Sequence, residues 1–193
     1  SYVVIPPEQR PGINQELDKI TDYVFQVLQT SNFNQEIHEA FMDLAIGTGI
    51  LLVEEGDAIN PIKFTSVPLT RVCLMNGPDG KIDTVYRTRT CKPTEIHLLY
   101  PKAKLPENFD PLKQKKDIKL IEAIYKIHED NVEKYKFCVV MENPKHILLE
   151  EEYSGDGSNP YLVFRWNKAS GEVYGRGPVF NAMGAIKTCN LTI

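Results

Sequence analysis

Residues 159–179 read NPYLVFRWNKASGEVYGRGPV, and the fold turns on how this stretch is taken. An aromatic-rich apolar run ends at Trp166, a Gly-Arg-Gly-Pro knot follows, and Pro178 suits the first turn of a helix. Strand, glycine turn and helix is also the layout of a phosphate-cradling loop in a parallel α/β protein. A dinucleotide fingerprint requires G-x-G-x-x-G, each glycine with its own steric task. Here Phe180 stands at the third glycine, and Pro178 removes a backbone N–H that should face the pyrophosphate. A P-loop fails as well: Gly77-Pro78-Asp79-Gly80-Lys81 is too short, and Ile82 follows it. The knot is therefore expected to be a structural corner. Its glycines supply unusual backbone angles, Pro178 starts the helix, and Arg176 is expected to clamp carbonyls or a carboxylate of a neighbouring element.

Upstream, the pattern changes from helical to extended. Leu17, Ile20, Val24, Val27 and Leu28 make one apolar stripe, with Asn14 expected as its N-cap. A second helix carries Phe33, Ile37, Ala40, Phe41, Leu44 and Ala45 on one face. Asn32 and Gln35 are spaced like a capping box, and Gly47 stands where a left-handed C-cap would end the helix. A short buried strand is expected at 50–53. Seven further short runs rich in β-branched and aromatic residues follow, at 62–67, 71–75, 81–90, 118–127, 135–141, 146–152 and 161–166. In Ile121, Ala123, Tyr125 and Ile127 every second residue is apolar, while Glu122 and Lys126 point the other way. Turns are expected at Asn76–Gly80 and at Gly155-Asp156-Gly157. A short helix at 94–100 and a Pro/Lys-rich loop fill 92–116. No helix long enough for a parallel crossover separates the strands, so the sheet should be antiparallel. The last segment puts Val179, Met183, Ile186 and Ile193 on one side of a helix.

The fold class that follows is α+β, in one domain over 1–193. Its helical part with a first strand covers 1–55, its antiparallel β part 56–168, and its terminal helix 172–193. A formal net charge of −4 makes the chain no general adhesive for nucleic acid or anionic membrane. No apolar stretch approaches the ~20 residues that span a bilayer, and the start lacks a basic leader followed by an apolar run. The first residue, Ser, and the open helical pattern at the end lead to the expectation of a piece of a longer chain.

The chemical motifs each lose a required residue. His38-Glu39 resembles the start of H-E-x-x-H, but position 42 is Met, and His97, His128 and His146 have no partners at ligand spacing. The four cysteines, Cys73, Cys91, Cys138 and Cys189, form no C-x-x-C pair and are expected as reduced, packed thiols. Glu150-Glu151-Glu152 reads as a solvated strand end, and the sequon Asn190-Leu191-Thr192 as chance. One basic cluster remains: Lys113, Lys115, Lys116 and Lys119, a solvated loop with at most a weak phosphate-skimming role. No cofactor, metal or catalytic residue is expected.

Four blocks stand in order along the chain: Leu17-Asp18-Lys19-Ile20 through Ser31-Asn32-Phe33 to the Gly47-Thr48-Gly49 break, then Phe64–Pro68 with Gly80–Arg87. Asn159-Pro160-Tyr161 through Phe164-Arg165-Trp166 comes third, and Tyr174-Gly175-Arg176-Gly177-Pro178 leading into a helix with Asn190 is the fourth. Taken together, they resemble the head-to-tail connecting (portal) proteins of short-tailed phages and related prophages. The resemblance marks Gly47, Gly49, Arg165, Trp166 and Tyr174–Pro178 as family structural positions. It implies a non-catalytic subunit of a ring, typically of twelve copies, at one vertex of the virion capsid. DNA would enter through the ring during packaging and leave through it at infection, with a terminase motor, capsid and tail adaptor proteins as partners and assembly in the host cytoplasm. It also implies that this chain is the partly barrel-like wing region, cut before a helical stem. Two alternatives stand beside it: a nucleic-acid-binding adaptor using the Lys113–Lys119 loop, and a hydrolase of unrecognised type.

Overall fold

The computed structural model describes residues 10–127, 133–155 and 157–191. The first element is α1 (Arg10–Thr30), followed by α2 (Phe33–Ile46). Asn14 does not cap α1, because the helix begins four residues earlier, at Arg10. Asn32 precedes α2 without capping it through its side chain. That amide is spent elsewhere: Oδ1 accepts from Phe64 N–H at 3.0 Å and Nδ2 donates to the Phe64 carbonyl at 2.7 Å. Glu36 accepts from Ser66 N–H at 2.6 Å, and Asp43 from Leu69 N–H at 2.8 Å. Three polar side chains from α2 and its N-terminal turn thus occupy backbone groups along β2 (Ile62–Ser66) and just beyond it that would otherwise be a bare sheet edge.

The strands fall close to the expected runs: β1 (Thr48–Glu55), β2, β3 (Val72–Asn76), β4 (Ile82–Cys91), β5 (Ile118–Ile127), β6 (Lys134–Met141), β7 (His146–Ser154) and β8 (Tyr161–Arg165). All pairings are antiparallel. They form two sheets where one was expected, in the orders β2-β1-β8 and β3-β4-β5-β6-β7, and neither closes into a barrel. Two short helical turns, 93–95 and α3 (Ile96–Leu99), lie between β4 and β5. Finally, α4 (Pro178–Leu191) starts on its proline as expected. The hairpin at Asn76–Gly80 is present, with Gly80 at φ 70° and its N–H on the Gly77 carbonyl. Asp156, His128, Thr192 and Ile193 lie outside the described residues.

The layers follow from which face each strand buries. Ile50 and Leu52 of β1 pack with Leu74, Val85, Ile124 and Tyr135 of the larger sheet. The opposite face of β1 and β8 meets α2, where the Phe41 and Phe164 rings lie edge to face at 6.2 Å. The larger sheet has a second core on the same inner face: Cys91, Leu120, Val139, Met141 and Leu148 lie under Ile96, Tyr100 and Ala103 of the α3 segment. The order is α2, small sheet, large sheet, with α3 covering the remainder of the large sheet's inner face.

One face assignment is reversed from the alternation. Ile118, Leu120, Glu122 and Ile124 are the buried set of β5, and Ile121, Ala123, Tyr125 and Ile127 face outward, half-buried. Both rows are apolar apart from Glu122, so the charge misdirected the assignment. Glu122 points into the interior and is only 3% exposed.

Candidate functional site: the glycine corner and the buried Glu122 cluster

The corner brings together two glycine breaks more than a hundred residues apart. Gly47 ends α2 by donating to the Asp43 carbonyl, but at φ 159° and ψ −27° it lies outside the left-handed helical region. What it requires is space: a Cβ on Gly47 would overlap the Gly175 carbonyl oxygen, and a Cβ on Gly175 would overlap the Gly47 carbonyl oxygen. The two backbones touch without side chains between them. Hydrogen bonds stitch the contact. Gly175 N–H donates to Thr48 Oγ1 at 2.8 Å, Gly177 N–H to the Ile46 carbonyl at 2.9 Å, and Trp166 N–H to the Gly47 carbonyl at 2.9 Å. Thr48 is wholly buried, so its hydroxyl fills a position where an unpaired donor would be costly. Gly49 serves the same packing, since a Cβ there would strike the Phe164 ring.

Side chains extend the corner outward. Tyr174 Oη accepts from Leu74 N–H at 3.1 Å, which ties the knot to β3 of the large sheet. Arg165 donates to the Val173 carbonyl at 3.0 Å. The expectation for Arg176 needs correction. Its guanidinium pairs with Glu172, four residues back in the same loop, and lies 5.2 Å from the Phe180 ring centroid in α4. The pair raises the Arg176 pKa and lowers that of Glu172, each through the hydrogen bond to the other. It braces the loop to the start of α4. The Trp166 ring is exposed, so its backbone N–H, not its indole, joins the corner.

A second constellation is one that the sequence reading missed. Arg87 on β4 stands directly across from Glu122 on β5, with Nη1 3.4 Å from Oε2. Arg89 Nη1 lies 3.6 Å from Oε1. Tyr161 of the small sheet donates to Oε2 at 3.0 Å, and Tyr100 of the α3 segment donates to Oε1. One carboxylate thus joins both sheets and the α3 segment, at the seam between the two cores. Burial, reinforced by the Glu122 charge, pushes both tyrosine hydroxyls well above the ordinary range. For Arg87, burial opposes the charge, but Glu122 and Tyr161 outweigh it and raise the pKa. Val85, Arg87, Arg89 and Cys91 share one strand face, and two arginines in such a row are the sequence signal that points to a buried acid.

The cluster forms the floor of a cleft of about 570 Å³, rimmed by Glu54, Glu55, Lys102 and Glu151. It lies at the Tyr161 end of β8, whereas the glycine corner adjoins the Trp166 end. Oε2 accepts from Arg87 and Tyr161 and Oε1 from Tyr100, with the Arg89 guanidinium 3.6 Å from Oε1, so the carboxylate is held by side chains of the fold itself. Among the described residues no three His, Cys, Asp or Glu side chains group as metal ligands, and no helix is long and apolar enough to cross a membrane. The basic loop is partly neutralised: Lys113 pairs with Asp110 at 3.2 Å and Lys119 with Glu142 at 3.8 Å.

The chain is an antiparallel α+β body, closed at its corner by glycine contacts and crossed by a buried ionic cluster. The chain belongs to the bacteriophage head to tail connecting protein family, whose family model matches residues 6–192. It is thus a phage structural connector and a component of the virion. None of the curated proteins matches it.

Proposed function

We propose that this chain is a wall segment of a portal ring through which double-stranded DNA is packaged and later ejected. The observation that carries this reading is the family match over residues 6–192. Two features support it. The backbone-to-backbone corner fixes the direction in which α4 leaves the sheets, as a wedge-shaped ring subunit requires. The net charge of −4 limits adhesion to a passing polyanion, because each neutralised phosphate adds a counterion-release contribution to affinity. In this reading the protein performs no chemistry of its own. Gly47, Gly49, Arg165, Trp166 and Tyr174–Pro178 shape the wall, and Lys115 and Lys116 give at most a weak, salt-sensitive phosphate contact. Other portal subunits, a terminase motor, capsid and tail adaptors are the partners, with assembly in the host cytoplasm. Negative-stain electron microscopy of the purified complete gene product tests it. Rings with a central hole, typically twelvefold, are expected; a uniform population of compact monomers contradicts it.

A further inference from the structure

We propose that the open half of β7 is a docking strand for an extended, basic segment of a partner protein. The segment pairs with the strand edge and sets a side chain in the cleft beside the Glu122 cluster. This goes beyond the ring reading and does not depend on it.

A bare strand edge is a template for another chain, and the fold covers two of its edges with side chains. The α2 layer occupies the edge of β2, and the Tyr174 hydroxyl takes the Leu74 N–H of β3. On β7 the cover is partial. The Leu148 carbonyl accepts from Lys104 N–H at 2.7 Å, and the pairing stops there. Gly155 N–H donates to the Glu133 carbonyl at 3.0 Å, on the β6 side. Backbone groups alternate sides along an antiparallel strand, so those of Glu150, Glu152 and Ser154 point away from β6. Among the described residues they have no partner, and all three residues are exposed. This stretch offers ~17 Å of edge at ~3.3 Å per residue.

The same stretch borders the cleft. Leu149, Glu151 and Tyr153 of β7 line it, and Leu99, Phe137 and Tyr161 add apolar and aromatic wall. Its 570 Å³ falls within the roughly 300–1,000 Å³ of sites that bury a ligand. The Ser158 hydroxyl on its wall is buried and has no hydrogen-bond partner among the described residues, which leaves a donor and an acceptor unmet. In strand addition, main-chain hydrogen bonds supply affinity and pockets for alternate side chains supply specificity. Here edge and pocket adjoin.

Charge selects the occupant. Glu150 and Glu152 flank the edge on one side, Glu151 on the other, and Glu54 and Glu55 stand on the rim of the cleft. Lys102 bonds Glu151 at 2.8 Å, Lys136 lies 3.4 Å from Glu150, and Lys134 stands across from Ser154 at the far end. Glu54, Glu55 and Glu152 have no ion pair among the described residues. Acids on an edge repel the same edge of another copy, and they repel DNA phosphates as well. A strand in which lysine or arginine alternates with apolar residues turns that charge into attraction.

The test follows a fluorescein-labelled peptide, Lys-Val-Lys-Tyr-Lys-Val-Lys, binding to the full chain by anisotropy. Hydrogen–deuterium exchange mass spectrometry locates it. A Kd below about 100 μM is expected, with exchange slowed at 149–155. Glutamate in place of every lysine should weaken binding at least about tenfold, as should Glu152→Lys in the protein, Glu152 being exposed. Two further peptides carry N-methyl groups on alternate residues, one on the lysines and one on Val and Tyr. Only one set of N–H groups on an added strand faces its partner, so one peptide should bind at least about tenfold more weakly and the other match the parent. The proposal is overturned if the peptide does not bind, if the two N-methylated peptides behave alike, or if the glutamate peptide binds as well. It is equally overturned if Glu152→Lys binds like wild type, if 150–154 are already protected in the free protein, or if protection falls elsewhere.

Discussion

Replacing Glu122 by Leu removes the acceptor shared by Arg87, Tyr100 and Tyr161 and the counter-charge of Arg89, while roughly keeping side-chain volume. Arg87, 9% exposed, is left as an uncompensated buried charge, which costs about 3–5 kcal/mol when one partner of a buried pair is deleted. The Tyr100 and Tyr161 hydroxyls lose their acceptor at the same time, adding about 1 kcal/mol each. Burial of the new methyl groups offsets about 1–2 kcal/mol. The net loss is about 3–6 kcal/mol, a large part of the ~5–15 kcal/mol that holds a folded domain together. For a chain of this size each kcal/mol moves the midpoint by ~2–4 °C, so Glu122→Leu should melt about 6–24 °C below wild type. Calorimetry with matched urea titrations measures both quantities. Tyr161→Phe, which removes only one donor, should lose about 1 kcal/mol. In the double variant the two losses should fall short of additive, because the partners touch. A Glu122→Leu protein within about 1 kcal/mol of wild type would refute the idea that the cluster joins the two sheets to α3.

Three further outcomes follow from the same geometry. Gly175→Ala places a methyl group on the Gly47 carbonyl, backbone against backbone, and should destabilise by about 3 kcal/mol in urea unfolding; an unchanged midpoint would mean the corner yields. Tyr100 and Tyr161 have folded-state pKa values raised above their ordinary values, and Tyr153 is pushed up to about 12 by burial and Glu151. The unfolded chain therefore releases these protons first as pH rises through about 10, and stability, intact below that, falls by about 1.4 kcal/mol per pH unit for each such tyrosine. Melts from pH 8 to 11 should show this slope, and Tyr100→Phe with Tyr161→Phe should flatten it. Arg176→Ala removes an exposed local pair and should leave the melting temperature nearly unchanged; a large drop would restore the long-range clamp expected for it.

Strand positions were readable because turn residues and alternating runs bound them: β5 occupies the expected residues, and β4 and β7 differ at their ends by a residue or two. The corner was readable too, because Gly-x-Gly-Pro after a strand admits few other structures. The direction of burial was not. Both faces of β5 are apolar, and a lone Glu argues against burial until its partners are known; Arg87 stands 35 residues away and Tyr161 39. Division into two sheets was equally hidden, since pairing β1 with β8 joins residues over a hundred positions apart. Asn32 was misread for a related reason. Its spacing suits a helix cap, yet its amide matches a strand backbone on both donor and acceptor, and β2 takes it. The partner of Arg176 was within reach: Glu172 lies four residues back in the stretch that decides the fold.

The most direct test of the connector account is a cryo-electron microscopy reconstruction of the head–tail junction in intact virions, extended far enough to resolve strands. The account predicts the α2, small-sheet, large-sheet body repeated around an axis that coincides with the DNA path, with the Gly47–Gly175 contact turned the same way in every copy. A junction whose ring density cannot accommodate this body, or one that places it away from the channel axis, would contradict it.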